Sequence, residues 1–196
     1  SEIICRDLSG VWHERGSNNL SGRIHTSEID WENEFIYCGS SGGNIWRGSL
    51  DGEGWTSLTD YFQINGINML RVINDENMRR LLIGSSRYFY YTDNDGATLE
   101  QSTGLDFLSD WGSVKRVIIK ENNRSIYLLA NEWDYSAWHE VAAIYKSDDL
   151  GETFTKIITL NESAGMSSIL GADHYDIWTP RYFEGEIFLL HNDMFF

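Results

Sequence analysis

The sequence is poor in proline, cysteine and basic residues. It has one proline, two cysteines, and 15 Lys and Arg against 30 Asp and Glu, which gives a formal net charge of −15. Two cysteines exclude a disulfide-rich scaffold, and the acidic excess repels nucleic acid and anionic membrane surfaces. No apolar run is long enough to span a bilayer. We therefore expect neither a nucleic-acid partner nor membrane insertion.

Common metal-site spacings are also missing. The five histidines are dispersed, and neither C-x-x-C nor H-x-x-x-H occurs. Spacings of that kind bring metal ligands together locally. The sequence therefore predicts no metal site and no cofactor, and it identifies no catalytic residue.

Sustained helical periodicity is absent, and short apolar runs separated by polar turns predict an all-β fold. The predicted innermost strands are Ile24–Ile29, Ile67–Ile73, Val114–Lys120 and Tyr175–Tyr182. The second strands are Phe35–Ser41, Arg80–Ser86, Ser125–Asn131 and Glu186–Asn192. The third strands are Asn44–Arg47, Tyr88–Tyr91 and Ala142–Lys146.

The best-defined motif is the octapeptide Ser147-Asp148-Asp149-Leu150-Gly151-Glu152-Thr153-Phe154. It resembles the Asp-box of BNR-type β-propellers, S-x-D-x-G-x-[TS]-[FW], and Thr92–Leu99 and Ser49–Trp55 are weaker copies. The resemblance implies hairpin turns held by side-chain hydrogen bonds, a left-handed glycine and a packed aromatic ring. The residues expected to build these turns are Ser147, Asp149, Gly151, Thr153, Phe154, Thr92, Asn94, Gly96, Ser49, Asp51 and Trp55.

The rest of the chain repeats around this motif. Equivalent positions in the apolar runs, Gly39, Gly84, Ala130 and His191, are separated by 45, 46 and 61 residues, a spacing typical of propeller blades. The stretch from Trp12 to Ile24, followed by Tyr37 to Ser49, also resembles the opening blade of the Asp-box superfamily. That superfamily includes sortilin-like propellers, xyloglucanase-like glycoside hydrolases and sialidases, so the resemblance implies blades of four antiparallel strands.

The length of 196 residues fits three blades and the start of a fourth, whereas closed propellers have roughly four to eight blades. We therefore expect part of a larger propeller, whose remaining blades or an adjoining segment pack against it. The predicted boundaries are 3–18 for a closing outer strand, 19–60, 61–104 and 105–160 for three blades, and 161–196 for the fourth. Cys5 and Cys38 are either buried separately or bridged, and a bridge requires α-carbons within about 7 Å.

The chain departs from the catalytic patterns of the superfamily. The Arg-Ile-Pro motif of sialidases is replaced by Arg23-Ile24-His25. Xyloglucanase-like enzymes carry an aspartate in a glycine-rich sequence whose counterpart here, Ser40–Asn44, has no aspartate. These departures favour a protein that is not an enzyme.

The long and irregular loops lie on the face opposite the Asp-box turns. Propellers usually bind ligands on that face. An insertion at Asn131–Glu140 and the loop Phe107–Trp111 are rich in aromatic and acidic residues. Such rings either fill gaps between blades or bind ligands; we expect Trp133 and Trp138 to be exposed. The candidate ligand-binding residues are Trp133, Tyr135, Trp138, His139, Glu140, Asp110 and Trp111.

Two functions stay open. The first is a non-catalytic binding or adhesion propeller that recognises glycan or protein through the loop face. The second is part of an extracellular glycoside hydrolase of the xyloglucanase-like type, with catalytic acids partly outside this chain. Because the chain begins at Ser1, as a processed protein does, and resembles a superfamily with many secreted members, we expect an extracellular protein, secreted or at the cell surface.

Overall fold

The computed structural model describes residues 23–75, 78–120, 124–136, 138–160, 172, 175–179, 187–191 and 194–195. The predicted closing strand at 3–18 lies outside the described residues, as does Cys5. Cys38 is half-buried with a free thiol, and burial raises the pKa of that thiol.

Four antiparallel sheets follow one another along the chain, each with its strands in sequence order. The first contains β1 (Ile24–Asp30), β2 (Phe35–Ser40), β3 (Ile45–Ser49) and β4 (Thr56–Ser57). The second contains β5 (Met69–Asp75), β6 (Met78–Gly84), β7 (Phe89–Thr92) and β8 (Glu100–Gln101). The third contains β9 (Ser113–Ile119), β10 (Ile126–Asp134), β11 (His139–Ser147) and β12 (Thr155–Thr159). The described strands of the fourth are β13 (Tyr175–Trp178), β14 (Phe188–His191) and β15 (Met194–Phe195).

This arrangement confirms the predicted all-β fold of four-stranded antiparallel sheets. The described helical structure includes a short 3₁₀ turn, Asp106–Ser109, between β8 and β9. The largest departure from the predicted strands is in the third sheet. There, the insertion at Asn131–Glu140 is not an irregular loop, because β10 and β11 stay paired as far as Asp134 and His139.

The core lies between the sheets, and the strand sequences explain why. Leu82 of β6 packs in the cluster shared with the third sheet, whereas its neighbours Leu81 and Ile83 pack against the first sheet. In β10, Leu128 faces the second sheet and Leu129 faces the fourth. A strand buried on both faces needs a continuous apolar run rather than alternation, so the second strands have such runs.

Up-and-down connectivity gives every sheet two distinct ends. The turns after β3, β7 and β11 lie at one end, which we call the turn end, together with the β1–β2 turn at residues 31–34. The turns after β2, β6 and β10 and the loops between sheets lie at the other, which we call the loop end. The described segments of the loop end are residues 23, 41–44, 58–68, 85–88, 102–112, 134–136, 138–140, 160 and 172.

Candidate functional site

The turn after β11 uses its polar side chains internally. The Ser147 hydroxyl donates to Asp149 Oδ1 at 2.6 Å and accepts the Gly151 N–H at 2.9 Å. Asp149 Oδ1 also accepts the Thr153 N–H at 2.9 Å, and Gly151 has φ +92°. Burial raises the pKa of Asp149, but the hydrogen bonds from Ser147 and Thr153 outweigh it and leave the pKa below its usual value. The carboxylate is thus ionised and engaged by its own turn.

The other two turns repeat this arrangement. Thr92 Oγ1 accepts the Gly96 N–H at 2.9 Å, and Asn94 Oδ1 accepts the Thr98 N–H at 2.9 Å. In the first sheet, Asp51 accepts both the Ser49 hydroxyl and the Glu53 N–H. Side-chain bonds of this kind replace missing backbone partners in a turn, so these residues stabilise the sheets.

The aromatic residues that follow two of the turns are placed differently. Phe154 is buried and meets Phe89 edge-on, with ring centroids 5.5 Å apart. Trp55 stays on the surface, where its indole N–H donates to the Gly52 carbonyl at 2.9 Å. Its ring covers Gly48 so closely that a Cβ there would lie 2.7 Å from it. Phe154 therefore packs in the core between the second and third sheets, whereas Trp55 covers a strand of its own sheet.

Arginines connect the turn end of one sheet to the next. Arg80, buried in β6, donates two hydrogen bonds to the Asp93 carboxylate at 2.7 and 2.8 Å. It also reaches the third sheet, where it donates to Glu152 at 3.1 Å and to the Leu150 carbonyl at 3.2 Å. The turn end is thus cross-linked by charge-assisted hydrogen bonds.

A second cluster joins the first two sheets in the same way. Asp95 accepts hydrogen bonds from Arg47 and Arg79, and from the Tyr37 hydroxyl at 3.2 Å. Burial, followed by the charge of Asp95, raises the pKa of Tyr37 to about 12. The phenol stays protonated and serves as a donor between the sheets.

The loop end carries five exposed aromatic side chains, against three at the turn end, Trp31, Trp55 and Trp178. Tyr61 is 99% exposed, Trp111 84% and Trp138 76%. Tyr135 and Tyr88 are also exposed. Large rings in contact with water gain nothing from burial, so they do not contribute to the core of this chain.

Two of these tryptophans adopt an unfavourable backbone conformation. Trp111 has φ +67° and Trp138 has φ +57°, a left-handed region that bulky residues rarely occupy. The neighbouring turn fixes the Trp138 conformation, since the Trp138 N–H donates to the Asp134 carbonyl at 2.8 Å. Glycine or asparagine would adopt either conformation at a lower cost. Such outliers motivate a search for function at these positions.

The structure brings the predicted ligand-binding residues to one end of the third sheet. Tyr135, Trp138 and His139 form the tip of the β10–β11 hairpin. Asp110 and Trp111 precede Gly112, where a Cβ would lie 2.8 Å from the Asn131 carbonyl oxygen. This close approach sets the Asp110–Trp111 loop beside the extended hairpin.

Trp133 is less accessible than expected. Trp133 and His139 are half-buried, and Trp133 lies in β10 opposite Glu140. Glu140 is exposed and accepts a hydrogen bond from the Asn131 amide at 2.7 Å. The exposed rings are therefore those of the turn, Tyr135 and Trp138, rather than that of the strand.

The candidate ligand-binding residues did not include Tyr61 or Tyr88, and no sequence pattern indicated a cleft beside Tyr88. The cleft has a volume of about 150 Å³ and is lined by buried Phe89, Leu105 and Leu108 and by exposed Arg87, Tyr88 and Asp106. The acidic and aromatic tripeptide Asp60-Tyr61-Phe62 gave a signal for Tyr61. The sequence around Tyr88 gives no signal of a binding residue, because the β6–β7 turn is short.

The pentapeptide Gly39-Ser40-Ser41-Gly42-Gly43 matches the G-x-S-x-G spacing of a nucleophile elbow. That motif requires a strand followed by a helix, whereas here it joins two antiparallel strands. The Ser41 hydroxyl donates to the Arg23 carbonyl at 3.1 Å. The match therefore describes a turn and not a catalytic serine.

The loop end also carries carboxylates. Asp60 accepts hydrogen bonds from Ser57 at 2.5 Å and from Asn44 at 2.8 Å, which lower the pKa of its carboxyl group. It is therefore an acceptor at neutral pH and not a proton donor. Among the described residues, no three His, Cys, Asp or Glu side chains converge as a metal site would require. No described helix has the length and apolar character of a membrane span.

Solved structures with a similar fold include two β-propeller proteins. A chain in a nidogen/laminin complex has a TM-score of 0.53 and 16% identity, over 71% of this chain and 49% of that one. The GH74 enzyme of Niastella koreensis has a TM-score of 0.61 and 17% identity, over 85% of this chain and 24% of the enzyme. Neither the protein-family models nor the curated protein sequences gave a match.

These likenesses confirm the propeller fold at the level of architecture. This chain spans about half of one similar protein and about a quarter of the other. The finer resemblance to the Asp-box superfamily stays a prediction.

Proposed function

We propose that this chain is part of a non-catalytic binding propeller of the Asp-box superfamily that engages a glycan or protein ligand through its loop end. One observation carries the proposal: five exposed aromatic residues lie at the loop end, while Ser147, Asp149 and their counterparts at the turn end are bound by their own turns. The five are Tyr61, Tyr88, Trp111, Tyr135 and Trp138.

The chemistry of the loop end suits recognition. Tyr and Trp supply large contact areas with few rotatable bonds, and they dominate the binding energy of many interfaces. Their rings also stack on the apolar faces of sugars, while neighbouring carboxylates accept hydrogen bonds from hydroxyl groups. The unfavourable φ angles of Trp111 and Trp138 support the proposal, because exposed rings there contribute no packing energy in return.

An extracellular protein, secreted or at the cell surface, is the setting that fits this function. The net charge of −15 disfavours nucleic acid and anionic membrane surfaces. The similar structures include a nidogen/laminin complex, which supports a protein ligand. The remaining blades or an adjoining segment would complete the propeller.

A binding screen followed by substitution tests the proposal. The purified protein is screened on a glycan array and against a displayed peptide library, and each hit is measured again with the double variant Trp111→Ala/Trp138→Ala. We expect binding to weaken by about tenfold or more, as for two aromatic anchors, with no loss of thermal stability. The control is Trp31→Ala, which removes an exposed ring at the turn end. Unchanged binding by the double variant would overturn the site.

A glycoside hydrolase is the second candidate. The likeness to the GH74 enzyme extends over 85% of this chain, and the loop end has exposed carboxylates. A glycosidase needs two carboxyl groups about 5 to 10 Å apart, so a partner acid from the rest of the propeller would be required. Hydrolysis of β-glucans by the full-length protein tests this candidate, and inactivity on a broad panel of polysaccharides rejects it.

A further inference from the structure

We infer that the loop end binds a cationic polypeptide segment, with Lys or Arg side chains set against its exposed rings and carboxylates. The inference rests on the proposed function and names the partner of that same surface. Three features support it: the acidic charge of the loop end, the neutral hydrogen-bond donors that orient its carboxylates, and the cleft beside Tyr88.

The loop end is acidic. Its described segments contain five carboxylates and two basic side chains, Arg23 and Arg87, which leaves a formal charge of −3. The carboxylates are Asp60, Asp106, Asp110, Asp134 and Glu140. A cation is attracted both by the carboxylates and by the exposed rings beside them, because the face of an aromatic ring carries negative potential.

Two of the loop-end carboxylates accept hydrogen bonds from neutral donors. Asp60 is bound by Ser57 and Asn44, and Glu140 is bound by the Asn131 amide. These bonds orient the carboxylates without neutralising them. At the turn end, by contrast, Arg80 meets Asp93 and Glu152. Such arginines neutralise part of the acidic charge of the turn end, so the exposed rings and the cleft, together with the carboxylates, direct a cationic partner to the loop end.

The cleft beside Tyr88 suits the side chain of a lysine or arginine. Its volume of about 150 Å³ is that of a cavity that holds a benzene-sized group. Buried Phe89, Leu105 and Leu108 offer apolar contact for an alkyl stem, and Asp106 offers a carboxylate for the charged head. Arg87 also lines the cleft and opposes a cation there.

Anionic glycans are disfavoured by the same charge, whereas neutral glycans are not. Binding of a neutral sugar would change little with ionic strength. Binding of a cationic peptide would weaken as salt shortens the Debye length from about 10 Å at 0.1 M. Salt dependence therefore separates the two ligand classes.

The test uses three fluorescent ten-residue peptides in which glycine alternates with lysine, glutamate or serine. Fluorescence anisotropy gives the affinity for the whole protein at 0.05 and 0.5 M salt. The double variant Asp110→Asn/Trp111→Ala removes one charge and one ring at the loop end. The matched control, Trp31→Ala/Glu32→Gln, removes the same groups from exposed positions at the turn end.

We expect only the lysine peptide to bind, with weaker binding at high salt. The loop-end variant should bind about tenfold more weakly, as expected for one cation–π contact and one carboxylate, and the control should change less than about twofold. Asp106→Asn should weaken binding, and Arg87→Gln should strengthen it. Melting curves identify any variant that fails to fold, and the opposite signs at positions 87 and 106 do not depend on folding losses.

Equal weakening by the loop-end variant and its control would overturn the inference, because it would reflect net charge alone. A glycan hit that depends on Trp111 and Trp138, with no binding of the lysine peptide, would overturn the inference but leave the proposed function intact. Absence of any ligand dependent on the loop end would contradict both.

Discussion

The two ends of the sheets use similar residue types in opposite ways. At the turn end, Asp149 and its counterparts are bound by their own turns, and Arg80 links two sheets. At the loop end, Trp111 and Trp138 stand in solvent with left-handed backbones. The same sheets therefore carry one end in which side chains stabilise the fold and another in which they are available to a ligand.

This contrast predicts that residues at the turn end determine stability, whereas residues at the loop end determine ligand affinity. Substitutions at the turn end should lower the free energy of unfolding and leave ligand affinity unchanged. Substitutions of exposed rings at the loop end should do the reverse.

The largest effect is expected for Arg80→Ala. Arg80 is 4% exposed, and its removal breaks four hydrogen bonds to Asp93, Glu152 and the Leu150 carbonyl. Because the carboxylates remain partly in water, we expect a loss of about 3 kcal/mol, at the low end for a broken buried ion pair. Urea denaturation measures the change. A loss below about 1 kcal/mol would show that Arg80 does not link the second and third sheets.

A smaller loss is expected for Asp149→Ala. The carboxylate accepts hydrogen bonds from Ser147 and Thr153, so its removal should cost about 1 to 3 kcal/mol. Thr98→Val is the control, since Thr98 accepts a side-chain bond in the weaker turn of the second sheet. Equal losses for the two variants would contradict the greater role of the complete turn.

The Asp149 turn should also respond to pH. The pKa of Asp149 is lowered in the folded protein, so its stabilising contribution is present above about pH 4, the unfolded value. It is lost as pH falls through the lower folded value. Asp149→Asn should therefore be less stable than the wild type at pH 7 but lose less stability between pH 5 and pH 3. Parallel curves for the two proteins would contradict this assignment.

The smallest effect on stability is expected at the loop end. Relief of the left-handed backbone strain, about 1 to 2 kcal/mol, should offset the entropy cost of glycine in Trp111→Gly and Trp138→Gly. Their melting temperatures should stay within a few degrees of the wild type. Trp31→Gly, without a positive φ to relieve, should be less stable by roughly 0.5 to 1 kcal/mol. Greater destabilisation by Trp111→Gly than by Trp31→Gly would show that the ring packs in the fold.

Local patterns predicted the turns and most strands because their interactions are local. Ser147 and Gly151 are four residues apart and bond directly, so the sequence motif contains the whole interaction. The contact from Arg80 to Glu152 joins residues 72 positions apart, and no short pattern shows it. The sequence did not predict the extension of β10, because the residues that follow Asn131 do not form an apolar run. The pairing of β10 with β11 shows that they belong to the strand.

Local sequence patterns also predicted part of the candidate site. Aromatic and acidic residues in a long loop marked Asp110 and Trp111. Trp133 was expected to be exposed because it lies in the insertion. It belongs instead to strand β10, where its side chain is half-buried. Tyr88 was missed because its exposure depends on where the short β6–β7 turn meets the 3₁₀ turn.

Hydroxyl-radical footprinting of the unmodified protein, with and without a ligand from the binding screen, tests the separation of the two ends most directly. It reports the solvent exposure of every tryptophan at once, including Trp111 and Trp138 at the loop end and Trp31 at the turn end. We expect the ligand to protect Trp111 and Trp138 and to leave Trp31 unchanged. Protection of Trp31 with Trp111 and Trp138 unchanged would contradict this separation.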